Sequence, residues 1–180
     1  MPAAPTRTDA RWRAAVQEHQ SALADYLETA AKLPEVAWRT PWAPGKWTPA
    51  QITEHLALIY EAFTLEARDG QIMKPRMTPF RARILRWVLL PHMLYHRSFP
   101  MRAPAPREAR PSADGQPRPE ALARLREAAD TLEREIERAR AAGRKHLTHP
   151  YFGTVDLVRM MRFGTVHLEH HHRQVAGVRG

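Results

Sequence analysis

Ten histidines in a chain of 180 residues that has no cysteine confine any metal or nucleophile chemistry to imidazole, water or a thiol brought from outside. Three pairs are spaced so that two imidazoles can lie near each other: His92 and His96, His146 and His149, His167 and His171. Four residues apart on a helix, His167 and His171 project from one face, one turn above each other, which suits two ligands of one cation. His92 and His96 have the same spacing but follow Pro91, where a helix is expected to break, and are read as surface or loop residues. In the run His170, His171, His172 the outer two point away from the middle one and are read as surface or flank positions. A choice among the pairs requires a partner on another element.

Four long helices are expected to position these groups. The first spans residues 9–33, with Trp12, Ala15, Val16, His19, Leu23, Tyr26 and Leu27 on one face. The second opens at Thr48 as a cap, with Pro49 in the first helical position, Gln51 completing a capping box and Trp47 with Ile52 as a staple. Its stripe is Ile52, His55, Leu56, Ile59 and Phe63, and it stops before Asp69-Gly70. The third runs from about Pro119 to Ala142 along Leu122, Leu125, Ala129, Leu132 and Ile136, with Gly143 as its stop. The fourth is expected from near Thr154 almost to the chain end, carrying Leu157, Met160, Met161, Gly164, His167, Leu168, His171 and Val175 inward. A proline-rich crossover, residues 70–118, separates the second and third and holds a short amphipathic helix around Phe80–Leu90. The fold expected is all-α, a four-helix bundle of order up, down, down, up with no sheet, in which the short links join antiparallel neighbours.

This arrangement selects the third ligand. His55 lies about 10 Å along its helix, and the midpoint of His167 and His171 lies about 14 Å from the end of theirs, at a rise of about 1.5 Å per residue. Antiparallel packing brings the three to one level. A lone histidine on an apolar face is ordinarily a hydrogen-bonded core residue, but three aimed at one level are costly to bury unless a cation satisfies them together.

An apolar content of 43% in 180 residues suits one domain covering 1–180. The opening MPAAPTRTDARW lacks the apolar core of a leader, and Ile84–Tyr95, interrupted by Arg86 and Pro91, is too short to span a bilayer. A cytoplasmic protein is expected. The apolar positions from Ile84 to Leu90 are read as a cover over the open end of the chain's own core, with no membrane role. The formal charge of +9 comes with no recognition motif, Lys is scarce and Arg is spread through every segment, so no specific nucleic-acid partner is expected.

Three segments resemble the DinB-like, or YfiT-like, superfamily of metalloproteins, in particular its second branch. They are APGKWTPAQITEHLALIYEAF, with Trp47, Thr48, His55 and Leu56 at the family's motif positions, the stretch RAPAPREARPS, and HPYFGTVDLVRMMRFGTVHLEHHHRQV. The last is similar to a pattern of His-Pro-x-Phe-Gly followed by Phe, His, His and Gln at fixed spacing. The resemblance implies one divalent transition metal, zinc first and nickel or iron as alternatives, on His55, His167 and His171, with Gln174 behind the ligands. It also implies a homodimer and a small-molecule substrate, with a low-molecular-weight thiol or water activated for transfer or hydrolysis. No catalytic residue is singled out. The other readings are a non-catalytic metal-binding stress-response module and, further off, a nucleic-acid or membrane adaptor.

Overall fold

Thr48 opens a helix by reciprocal capping: its hydroxyl accepts from the Gln51 backbone N–H at 3.2 Å, while the Gln51 side chain accepts from the Thr48 N–H at 3.0 Å. Two otherwise orphaned donors are satisfied in this way. The resulting helix, α3 (Pro49–Asp69), ends at Gly70 in a left-handed conformation, φ 71°. The structure is a computed structural model and describes residues 7–70, 74–100 and 105–178. The start of the segment read for a leader, residues 1–6, and residues 102–104 of the proline-rich stretch lie outside the described residues.

Most described residues are helical. Helix α1 (Arg7–Lys32) buries Trp12, Ala15, His19, Leu23, Tyr26 and Leu27, and the short α2 (Glu35–Trp38) buries Trp38 completely. The crossover carries α4 (Pro79–Ile84), a π-helical turn (Leu85–Leu89), α5 (Leu90–His96) and a 3₁₀ turn (Arg107–Ala109). Helix α6 (Arg118–Ala141) buries Leu125, Ala129, Leu132 and Ile136, and α7 (Leu157–Ala176) buries both histidines of its motif. Each fully buried aliphatic side chain contributes about 1.5–3 kcal/mol, so these stripes dominate the stability of the assembly. Among the described residues no helix is long and apolar enough to cross a membrane.

The most extensive packing is between α3 and α6 and between α1 and α7, with lesser faces between α1 and α6 and between α3 and α7. Helices joined by the shorter links, α1 to α3 and α6 to α7, are therefore not the closely packed neighbours that link length suggests. Helix α2 lies within one link and a hairpin within the other, which lengthens both enough to cross the assembly. Across its middle, Tyr26 and Thr53 share a hydroxyl hydrogen bond of 2.7 Å, and His19 Nε2 meets the Tyr60 hydroxyl at 2.9 Å.

Three expectations are corrected. A sheet exists: β1 (His146–His149) pairs antiparallel with β2 (Gly153–Asp156), Leu147 opposite Val155 and Thr148 opposite Thr154. Gly153, at φ 63°, closes the three-residue loop, and β-branched Thr148, Thr154 and Val155 favour the extended chain on either side. Helix α7 consequently starts at Leu157, where Asp156 caps the Arg159 N–H at 3.0 Å, and Thr154 belongs to β2. The crossover helix also does not break at Pro91. The widened π turn directly precedes that residue, whose ring would otherwise meet the Trp87 carbonyl, and the chain continues helically to His96. Finally, the apolar stripe is divided: Leu90 and Met93 are buried, whereas Phe80, Ile84, Trp87 and Val88 face outward.

Candidate metal centre

One face of α3 and one face of α7 meet with three imidazoles between them. His55, His167 and His171 are all buried, and one ligand-capable nitrogen from each lies within 4.8 Å of the other two. Ring centroids are 5.3 Å apart for His55 and His167, 5.2 Å for His55 and His171, and 4.7 Å for His167 and His171. The helical period puts His171 and not His172 on this face, since His172 Nε2 turns instead toward α1 and the Thr29 hydroxyl, 2.7 Å away.

Hydrogen bonds on the outer ring nitrogens decide which inner ones are free. His55 Nδ1 donates to the Ala109 carbonyl at 2.6 Å, and His171 Nδ1 donates to Gln174 Oε1 at 2.8 Å. Both rings are thereby held in the tautomer whose Nε2 bears a lone pair. Gln174 is itself oriented, because its amide N–H donates to His170 Nε2 at 3.0 Å. His167 Nε2 stands 3.1 Å from His171 Nε2, and His167 Nδ1 is buried with no hydrogen-bond partner.

This donor set fits a cation. If His167 carries its proton on Nε2 it can bond His171, but its buried Nδ1 lone pair is orphaned; if it carries the proton on Nδ1, two lone pairs face each other. A metal removes the second conflict by accepting both. Two ligands at about 2.0–2.1 Å from a tetrahedral ion lie about 3.3–3.4 Å apart, close to the 3.1 Å between the two nitrogens. Three neutral nitrogen donors and no carboxylate or thiolate suit a borderline transition metal better than Mg²⁺ or Ca²⁺.

The electrostatics favour neutral imidazoles. Burial lowers His55 to about 4, offset in part by the Ala109 carbonyl, which holds the Nδ1 proton. Burial, reinforced by the neighbouring histidines, pushes His167 and His171 well below the ordinary value. Protons therefore compete weakly for these nitrogens near neutral pH.

The three rings lie in the wall of a cavity of about 640 Å³. Its surroundings are mainly apolar, with Phe63, Phe99, Phe152 and Phe163 from the helices and loops and Leu85, Leu89 and Met93 from the crossover helix. Trp47, expected to staple the start of α3, lies against His55 with ring centroids 4.8 Å apart. Lys46 is the cationic side chain at this cavity.

Several other histidines differ from the sequence reading. His170 is half-buried at the cavity, its ring 4.9 Å from that of Phe99, so it is no plain surface residue. His172 is half-buried between α1 and α7. A residue one step along a helix turns by about 100°, enough to leave the ligand position but not the protein. His92 and His96 are exposed, as expected, with ring centroids 4.3 Å apart, and His96 also meets the Tyr95 ring at 4.8 Å. His149, which its spacing from His146 does not mark as a site residue, lies buried at the cavity against Phe152 at 4.6 Å and Phe63 at 5.8 Å. Its Nδ1 accepts the N–H groups of Tyr151 and Phe152 at 3.1 and 3.3 Å, so the proton resides on Nε2, and burial lowers the ring to about 3. The His-Pro-x-Phe-Gly motif that contains it was the signal available.

The scaffold and centre together define a helical protein with a buried three-histidine cluster able to hold a metal ion. The chain belongs to the DinB superfamily, whose profile matches residues 18–175 and so takes in both helices that carry the cluster. No curated protein and no solved structure matches the chain.

Proposed function

We propose that this protein is a metal-dependent enzyme that activates a small thiol or water for attack on a small electrophile, in a transferase or hydrolase reaction. The observation that carries the reading is the convergence of His55, His167 and His171, two of them held with Nε2 lone pairs inward, on a mainly apolar 640 Å³ cavity. One divalent transition metal on these residues, zinc or else nickel or iron, would lower the pKa of a bound thiol or water and polarise the substrate. The chain's own part is to fix the imidazoles through Ala109 and Gln174, to exclude bulk water with the aromatic walls, and to offer Lys46 to an anionic substrate group. His149, neutral and carrying its proton on Nε2, is placed to donate a hydrogen bond at the cavity.

The scaffold we propose is one domain, a four-helix bundle in the order up, down, down, up. Supporting it, Glu61 and Arg68 of α3 meet Arg124 and Glu135 of α6 in the same sequence order, whereas Asp9 and His19 of α1 meet Arg140 and Glu133 of α6 in reverse order. A cytoplasmic homodimer completes the reading, and a monomer in sedimentation at micromolar concentration would remove the dimer.

The test is metal analysis of untagged protein, followed by a screen for metal-dependent conjugation of small thiols to electrophiles and for hydrolysis. About one metal per chain is expected from one three-histidine set. Activity that survives removal of the metal, or a protein that takes up none, would sink the proposal.

A further inference from the structure

Arginine is present throughout the chain, but carboxylates are not. Residues 71–107 hold eight Lys or Arg and no Asp or Glu, so nearly all of the chain's net +9 sits in the crossover. The helix formed by α4, the π turn and α5 lies within that stretch. Its inner face serves the cavity through Leu85, Leu89 and Met93. Its outer face is also apolar: Phe80 is 73% exposed, Ile84 46%, Trp87 61%, Val88 67% and Tyr95 83%. A helix apolar on both faces requires a partner on the second one.

Helical periodicity puts Arg81 and Arg83 on the two flanks of this outer stripe. Both are exposed, as is Lys74 just before the helix, and none of the three has a carboxylate partner among the described residues. Arg76 and Arg97, by contrast, are paired with Glu108 and Glu169.

We propose that the α4–α5 helix docks this protein on an anionic lipid surface, with Phe80, Ile84, Trp87 and Val88 entering the headgroup boundary and Lys74, Arg81 and Arg83 meeting lipid phosphates. An aromatic and aliphatic stripe flanked by cations is the pattern of a helix that lies in a membrane interface. The charge distribution chooses this occupant over two others. A second copy joined through the same face would bring two carboxylate-free basic segments together, which like-charge repulsion opposes. A nucleic acid would satisfy the cations and could stack bases on Phe80 and Trp87, but the exposed aliphatic Ile84 and Val88 of the same stripe give bases no stacking face and suit acyl chains. The docking is independent of the metal chemistry and stands or falls separately from it.

The test uses the full chain in flotation with vesicles of phosphatidylcholine alone and of phosphatidylcholine mixed with phosphatidylglycerol. Capture is expected on the mixed vesicles only, and it should weaken with added salt. Trp87→Ser with Val88→Ser, and Arg81→Ser with Arg83→Ser, should each reduce capture by about tenfold or more. Helix content by circular dichroism and metal stoichiometry should stay at wild-type values in both double variants, which separates docking from misfolding. Absence of capture, equal capture on neutral vesicles, or full capture of the Trp87/Val88 variant overturns the proposal. So does a dimer that this variant dissociates, or tight oligonucleotide binding that it leaves intact.

Discussion

Two groups of buried histidine lie on either side of α3, and they differ in how their nitrogens are used. On the α1 side His19 is fully enclosed, with Nδ1 on Glu133 at 2.9 Å and Nε2 on the Tyr60 hydroxyl at 2.9 Å. Both nitrogens are engaged, so the ring has nothing left to give a ligand, and it works as a polar tie between α1, α3 and α6. On the α7 side His55, His167 and His171 are as well buried, but their second nitrogens turn toward one another, and one nitrogen of His167 has no partner. Burial alone does not mark a site; burial with unused lone pairs that converge does.

The largest effect that tests this contrast is loss of metal. His55→Ala, His167→Ala or His171→Ala should each bring occupancy from about one per chain to near zero, because a two-histidine remnant binds weakly. His19→Ala should leave occupancy intact and lower stability by about 2–3 kcal/mol, since it leaves Glu133 and Tyr60 without their buried partner. Metal analysis and urea titration read the two outcomes. A His19 variant that loses metal, or a His167 variant that keeps it, would collapse the distinction.

A smaller effect is expected from the groups that orient the ligands. Gln174→Ala frees the His171 tautomer and should weaken metal affinity by about 10–100-fold without abolishing binding. His92→Ala and His96→Ala should leave affinity unchanged, being exposed and distant in role; competition with a chromophoric chelator measures all three.

The metal-free protein should be sensitive to acid in a defined window. His55 and His149 are lowered in the folded state to about 4 and about 3 from an ordinary 6.5. The unfolded chain therefore binds more protons than the folded one once pH falls below about 6.5. Stability is fully present above that value and is lost as pH falls toward 4 and then 3, at about 1.4 kcal/mol per pH unit per group. Bound metal should extend the part due to His55 to lower pH, because a proton must then displace the metal, and leave that of His149 unchanged. Denaturant midpoints across this range, with and without metal, provide the check, and a flat profile for the metal-free protein would contradict it.

The long helices were legible because their signals are local and redundant. Thr48, Pro49 and Gln51 declare the start of α3, Gly70 its end, and the stripe through His55 its inner face. The spacing of His167 and His171 fixed their common face on a helix whose period is certain. The hairpin was not legible, since each strand has four residues and the sequence between them reads as a turn whether or not its flanks pair. The packing partners were hidden for a similar reason: link length does not report that α2 and the hairpin carry the chain across the assembly. The carbonyl of Ala109 has no signature in sequence at all, because every residue carries one.

Gly115 affects stability and not the metal ligands, and it sits where the crossover packs on the start of α3. A Cβ at this residue, which has φ 66°, would stand 2.6 Å from Ala50 Cβ. Gly115→Ala should therefore cost about 1–3 kcal/mol in stability, seen as a lower melting temperature, and loosen the crossover where Gln51 donates to the Ala113 carbonyl at 2.7 Å and Ser112 to Glu54 at 2.7 Å.

The dependence of His55 on Ala109 has a further consequence. Because the orienting group is a peptide carbonyl, substitution at residue 109 cannot delete it, and an alanine scan would pass over it in silence. The residue is fully buried, so it can drift only among small side chains, while the function it serves is encoded in the path of the chain around it. A designer moving this centre into another scaffold would have to transplant that path along with the three histidines.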